Sequence, residues 1–233
     1  MPAGPGTPYG RVPAADVPAA GRLEPPGRFR PGPMTSARTA MRKIIVSISV
    51  SLDGFFEGPD HDIEWHLVDD ELHQHFNDYL STMGAFLSGR VTHELMADFW
   101  PTADADPSIT GPMAEFAGIW REMPKIVFSR TLKDAGGYHT ILMREVVPEE
   151  IMELKEQPGG DLVLGGPDLA ASFRKYDLID EYRIYVHPIL LGRGTPLFRD
   201  TDARTGLELV GTRTFGNGVV LLHYRRARTA AGE

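Results

Sequence analysis

The sequence predicts a three-layer α/β fold, with a mostly parallel central sheet, helices on both faces and an antiparallel C-terminal edge. Three observations carry this expectation. From Met41 to about residue 178, short apolar β-branched runs alternate with helix-competent segments, the pattern of parallel strands joined by crossover helices. From Asp180 onward, strand-like runs follow one another with no room for long helices between them. A chain of 233 residues with 42% hydrophobic and 24% charged residues has the make-up of a globular protein with one sizeable core.

The elements follow in order. Lys43–Leu52, KIIVSISVSL, reads as a buried strand. The glycine, proline and aspartates of DGFFEGPDHDIEW then predict a loop. DDELHQHFNDYLSTM places Leu72, Phe76, Tyr79 and Leu80 at helical spacing, with acids at its start that suit the helix dipole. GAFLSG predicts a short strand, and RVTHELMADFW a helix that ends before Pro101. PKIVFSR and YHTILM read as strands, PEEIMELKEQ as a helix opened by proline, GDLVLGG as a strand, and PDLAASFRKYDL as a helix. DEYRIYVHPILLG, LELVGTRTF and VVLLHYRR complete the sheet. Phe215–Gly218 supplies hairpin-turn chemistry, and the apolar edge strands near Tyr182–Leu191 offer a surface for pairing subunits. The folded domain is expected over residues 41–228.

The first forty residues differ in kind. They hold nine of the nineteen prolines and five arginines against two acids, with little apolar surface to offset the entropy of ordering. A disordered tail is expected there and at residues 229–233, and Met34 and Met41 are both positions at which translation could equally begin. The tail lacks the apolar centre of a secretory signal. The formal net charge of −8 disfavours a nucleic-acid-binding face, and no apolar run approaches the length of a membrane span. The absence of cysteine excludes disulfides, thiolate metal sites and a cysteine nucleophile, and suits a reducing cytoplasm. No histidine pair stands four residues apart, so no metal site is expected. No G-x-S-x-G elbow marks a serine hydrolase, and no G-x-G-x-x-G marks a Rossmann domain.

Three predicted strand ends share one chemistry. Gly89-Arg90-x-Thr92 combines a glycine that lets a phosphate approach the backbone, a helix start with free N–H donors, a guanidinium and a hydroxyl. Ser129-Arg130 adds a second cation, and Gly165-Gly166 opens another helix. Each also suits a plain turn with a solvated charge. Taken together, two arginines converging on one group suit a phosphate monoester such as the 2′-phosphate of NADP. Gly192-Arg193-Gly194 leads into no helix and reads as a loop.

The succession of Leu52-Asp53-Gly54, Gly89-Arg90-x-Thr92, Val127-Phe128-Ser129-Arg130, Gly165-Gly166 and VHPILLGRGTPLF resembles the dihydrofolate reductase-like superfamily. It is most similar to the C-terminal reductase domain of the bifunctional riboflavin-biosynthesis deaminase-reductase and its stand-alone relatives, over about Arg42 to Arg226. The resemblance implies a dihydrofolate reductase-like fold, a homodimer and NADPH as cofactor. It implies that Arg90, Thr92, Ser129 and Arg130, with Gly89, hold the adenosine 2′-phosphate end. Gly165 and Gly166 would take the pyrophosphate, and the backbone near Ser49 the nicotinamide carboxamide.

On the substrate side, Asp53 at the mouth of the first strand is the candidate catalytic residue, although Asp53-Gly54 also suits a turn. Asp69, Asp70 and Glu71 occupy the region where folate reductases carry a carboxylate, and equally suit the helix dipole. His73 and His75 put pterin binding in doubt. Trp65, Phe99, Trp100 and Trp120 suit either a planar-ligand wall or core. The expected function is NADPH-dependent hydride transfer to a small pteridine- or pyrimidine-like acceptor. A nucleotide-binding sensor without turnover and a true dihydrofolate reductase stand as alternatives.

Overall fold

A computed structural model describes residues 41–137, 139–199 and 204–227. The stretches expected to be tails, 1–40 and 229–233, lie outside them. Ten strands and five α-helices are described: β1 (Ile44–Ser51), β2 (Phe55–Glu57), α1 (Asp70–Leu80), β3 (Ala85–Gly89), α2 (Arg90–Phe99), α3 (Gly111–Glu122), β4 (Lys125–Phe128), β5 (Thr140–Met143), α4 (Pro148–Glu156), β6 (Leu162–Leu164), α5 (Pro167–Lys175), β7 (Glu181–His187), β8 (Thr195–Pro196), β9 (Leu207–Thr214) and β10 (Val220–Arg226).

Eight strands form one sheet in the order β5-β4-β3-β6-β1-β7-β10-β9. The first six run parallel, while β10 pairs antiparallel with both β7 and β9. Alternation along the strands divides the core between two faces. Ile44, Val46, Ile48 and Val50 of β1 pack with Ile151 of α4 and with Leu169 and Phe173 of α5. On the opposite face Phe86 of β3 packs with Trp100, Phe116 and Trp120, and Leu72 of α1 packs with Tyr185 and Leu221. The result is the expected three-layer fold, parallel at its centre with an antiparallel edge.

Three features differ from the sequence expectation. The segment after β1 is not all loop, because β2 pairs antiparallel with β8 to make a small separate ribbon. The α3 helix was not anticipated. Its apolar residues Met113, Phe116, Ala117 and Trp120 are spaced for one face, and Lys125 closes its end by donating to the carbonyls of Trp120 and Met123. Finally, β7 is no edge. It lies between β1 and β10, and the hairpin built on Phe215–Gly218 sets β9 on the outer side of β10. The outer strands are β5 and β9, and β9 exposes Leu207, Leu209 and Val210. No described helix is long and apolar enough to cross a membrane.

Candidate functional site

Because β4, β3 and β6 are neighbours, the three turns that leave their carboxyl ends are neighbours too. Gly89 is level with Phe128 across β3 and β4, and Leu87 is level with Leu164 across β3 and β6. These turns open onto one cleft of about 620 Å³, lined by Gly89, Arg90, Thr92, Ser129, Arg130 and Gly166 among others. Gly165 and Ser49 are not in its lining. Gly165 is tied into the sheet by its N–H to Leu87, and Ser49 sits within β1, level with Tyr185.

The helix starts face this cleft without side-chain caps. Gly89 precedes α2 and Gly166 precedes α5, and neither helix has a side chain accepting from its first-turn N–H groups. Those donors and the positive end of each dipole remain available to an anion. Gly166 has φ +89, a left-handed conformation, and a Cβ there would stand 3.0 Å from Thr92 Oγ1. Gly89 is different: its φ of −77 suits any residue, and a Cβ there would meet nothing within 4 Å.

Both arginines are paired with acids. Arg90 Nη1 lies 2.7 Å from Glu94 one turn along α2, and Arg130 Nη2 lies 3.5 Å from Glu145. All four side chains are substantially exposed, so these pairs are weak and readily exchanged for a ligand. Ser129 is buried, and its Oγ accepts from the N–H groups of Thr131 and Leu132. Its hydroxyl therefore shapes the turn that carries Arg130. Arg144 locks the same turn by donating to the carbonyls of Ser129 and Leu132.

The ribbon of β2 and β8 supplies another wall, with Phe56, Glu57, His61 and Thr195. Glu57 Oε1 accepts from Thr195 Oγ1 at 2.8 Å and meets His61 Nδ1 at 2.9 Å. Asp60 and His61 both have left-handed φ, 58 and 62, conformations that cost a non-glycine residue energy. These residues, and Arg144 with Glu145, were missed from sequence. The charged pair directly after β5 was the available signal, since it repeats the placement of Arg90 and Arg130 after their strands.

Asp53 lies outside the cleft lining. Its carboxylate accepts from Ser51 Oγ at 2.6 Å and from the N–H groups of Leu191 and Gly192 at 3.1 and 2.7 Å. The Ser51 hydroxyl, with those backbone donors, holds its pKa below the usual carboxylate value. These bonds make Asp53 a brace between the end of β1 and the 189–194 loop, the turn role that its sequence context also suited. The helix-start acids are structural in the same sense. Asp69 caps α1 through Leu72 N–H, and Glu71 binds Gly216 N–H and Arg213.

His73 and His75 occupy different faces of α1, against Trp100 and Phe116 and against Tyr185 respectively. Trp100 and Trp120 are core. Trp65 stands edge-on to His66 and His187, which are stacked with centroids 5.2 Å apart. His187 is fully buried, and its Nδ1 accepts from Leu67 N–H at 3.1 Å. Burial depresses both rings to pKa values of about 4. Among the described residues, no cluster of three or more His, Asp or Glu is arranged to hold a metal ion.

Comparison with known proteins agrees with this architecture. Two uncharacterized Bacillus subtilis (strain 168) proteins are similar along most of their length. YyaP is 36% identical over 184 residues, covering 78% of this chain and 94% of YyaP. YwjB is 30% identical over 188 residues, covering 80% and 99%. A Shewanella sp. PV-4 structure, described as a candidate riboflavin biosynthesis protein, superposes with a TM-score of 0.61 at 22% identity, covering 80% of this chain and 99% of that one. Enterococcus faecalis dihydrofolate reductase, solved with NADP(H), superposes with a TM-score of 0.51 at 18% identity, covering 79% and 96%. The Thermotoga maritima diaminohydroxyphosphoribosylaminopyrimidine deaminase/5-amino-6-(5-phosphoribosylamino)uracil reductase gives 0.56 at 16% identity, and this chain spans 57% of it. The structural likenesses show a dihydrofolate reductase-like fold. Residues 42–221 match the sequence model of the RibD C-terminal domain, and the chain belongs to that family.

Proposed function

We propose that this chain is a reductase of the riboflavin-biosynthesis type that takes hydride from NADPH and delivers it to a small pteridine- or pyrimidine-like acceptor. The observation that carries the reading is the convergence of Arg90, Arg130 and two uncapped helix starts on one cleft. The glycines fit a nucleotide as well. Gly89, which lines the cleft, has no left-handed φ and faces open space where a Cβ would stand, so the protein's own packing does not demand glycine there. Close approach of a phosphate to the backbone does.

When bound, NADPH supplies the hydride with its electron pair. The chain's own groups bind, orient and shield. Arg90 and Arg130 exchange their carboxylate partners for the adenosine 2′-phosphate, assisted by Thr92. The N–H groups at the start of α5 hold the pyrophosphate, and the Gly166 turn lets it approach. Phe56, Phe128 and Leu169 line the cleft with apolar surface that excludes water from the dinucleotide. The fixed geometry of strand ends supplies the alignment that hydride transfer needs.

Titration of the purified protein with NADPH and NADH, followed by NADPH oxidation across flavin precursors, pterins and quinones, tests the reading. Tight NADPH binding with oxidation by a heterocyclic acceptor is the expected result. Absence of NADPH binding overturns it, and binding without oxidation favours the sensor. Activity with dihydrofolate identifies a folate reductase instead. We further propose a cytoplasmic homodimer. The exposed apolar residues of β9 support pairing, and sedimentation velocity decides between one copy and two.

A further inference from the structure

We infer that Glu145 sets the preference between the phosphorylated and unphosphorylated dinucleotide by competing for Arg130 and offering a carboxylate to a bare ribose. The inference rests on the nucleotide reading of the cleft.

Glu145 follows β5, the strand beside β4, and lines the same cleft as Arg130. It is not a loose surface acid. Arg144, the residue before it, is bound to the carbonyls of Ser129 and Leu132, so the chain at Glu145 is fastened to the turn that presents Arg130. The Glu145 carboxylate approaches the Arg130 guanidinium to 3.5 Å, with 61% of its side chain exposed. Glu94 pairs with Arg90 but is absent from the cleft lining. Of the acids that do line the cleft, Glu57 is held by Thr195 and His61 and Asp168 by Arg199, so Glu145 is the one paired with Arg130.

Discrimination between the two cofactors is a difference of affinities, and one residue can move both terms. An acid at a strand end accepts hydrogen bonds from a ribose 2′-hydroxyl, whereas an arginine receives a 2′-phosphate. This cleft carries both, within contact of each other. A phosphate that reaches Arg130 must displace Glu145 and then remain near its negative charge. A bare ribose leaves the ion pair intact and can donate a 2′-hydroxyl hydrogen to the carboxylate. Glu145 therefore weakens NADPH, strengthens NADH and narrows the ratio between them.

The test is Glu145→Gln, which keeps size and removes charge, with dissociation constants measured for NADPH, NADH, 2′,5′-ADP and AMP. A thermal melt checks that the variant folds, and at so exposed a position it should be unchanged. We expect about threefold tighter NADPH and 2′,5′-ADP and about threefold weaker NADH, a shift of roughly tenfold in the ratio. Added salt should shrink the gain in NADPH affinity. Equal changes for both cofactors, or none, overturn the role of Glu145. Arg90→Ala runs in parallel. If it weakens NADPH and NADH equally, Arg90 does not read the 2′-phosphate; if the parent protein binds neither dinucleotide, the nucleotide reading itself fails, whatever Glu145 does.

Discussion

The hydroxyl of Thr92 occupies the space that a side chain at Gly166 would need: a Cβ on residue 166 would lie 3.0 Å from Thr92 Oγ1. The first turn of α2 and the first turn of α5 are thus packed against each other through a missing side chain. Gly166→Ala must strain a φ of +89 and displace that hydroxyl. It is expected to lower stability by ~1–3 kcal/mol and to weaken NADPH binding. Chemical denaturation and cofactor titration measure the two effects.

Gly89→Ala is the informative contrast. With an ordinary φ and no neighbour within 4 Å, it should leave stability within ~0.5 kcal/mol of the parent. On the proposed reading NADPH affinity should nonetheless fall, on the order of tenfold, because the added methyl would stand in the path of the phosphate. Unchanged affinity would mean that no ligand meets the backbone there.

Arg90→Ala should raise the NADPH dissociation constant on the order of tenfold or more and barely change that for NADH. Its i,i+4 pair with Glu94 is an exposed helix contact, so thermal stability should hardly move.

Asp53→Ala removes the acceptor for Leu191 and Gly192 N–H and for Ser51 Oγ. A lowered melting temperature is expected, with the loss of turnover tracking the loss of folded protein. If the folded fraction keeps its stability but turnover vanishes, Asp53 acts in the chemistry after all.

Acid should destabilise the fold through His66 and His187. Their folded pKa values of about 4 lie below the ordinary value of 6.5, so the unfolded chain binds more protons between these limits. Stability is fully present above pH 6.5 and falls as pH drops toward 4, by on the order of 1–3 kcal/mol per ring. His187→Gln keeps an acceptor for Leu67 N–H and should flatten that slope in urea melts taken across the range.

Much of this architecture was legible in the residues. The β-branched runs gave β1, β4 and β6 because buried parallel strands need continuous apolar surface. The glycine-arginine and serine-arginine turns gave the cleft because strand ends in such sheets are where ligands gather. What was not legible depended on pairing between distant segments. The β2–β8 ribbon, and with it Glu57 and His61, exists only because residues 55–57 meet residues 195–196. Asp53 is likewise defined by the loop at residues 191–192, which no local pattern specifies. The internal position of β7 followed from β10 closing over it, and an apolar run alone does not distinguish an edge from an interior strand.

The strand order has a kinetic consequence. β6 is inserted between β1 and β3, so the first strand synthesised has no partner on that side until a segment 118 positions further along arrives. Contacts of such long sequence separation are slow to close. The glycine turn after β6 cannot stand beside the two arginines before that insertion. On the proposed reading, nucleotide capture would wait for that insertion: in refolding, cofactor fluorescence should rise later than helical dichroism, and chains truncated ahead of β6 should collapse without ever acquiring it.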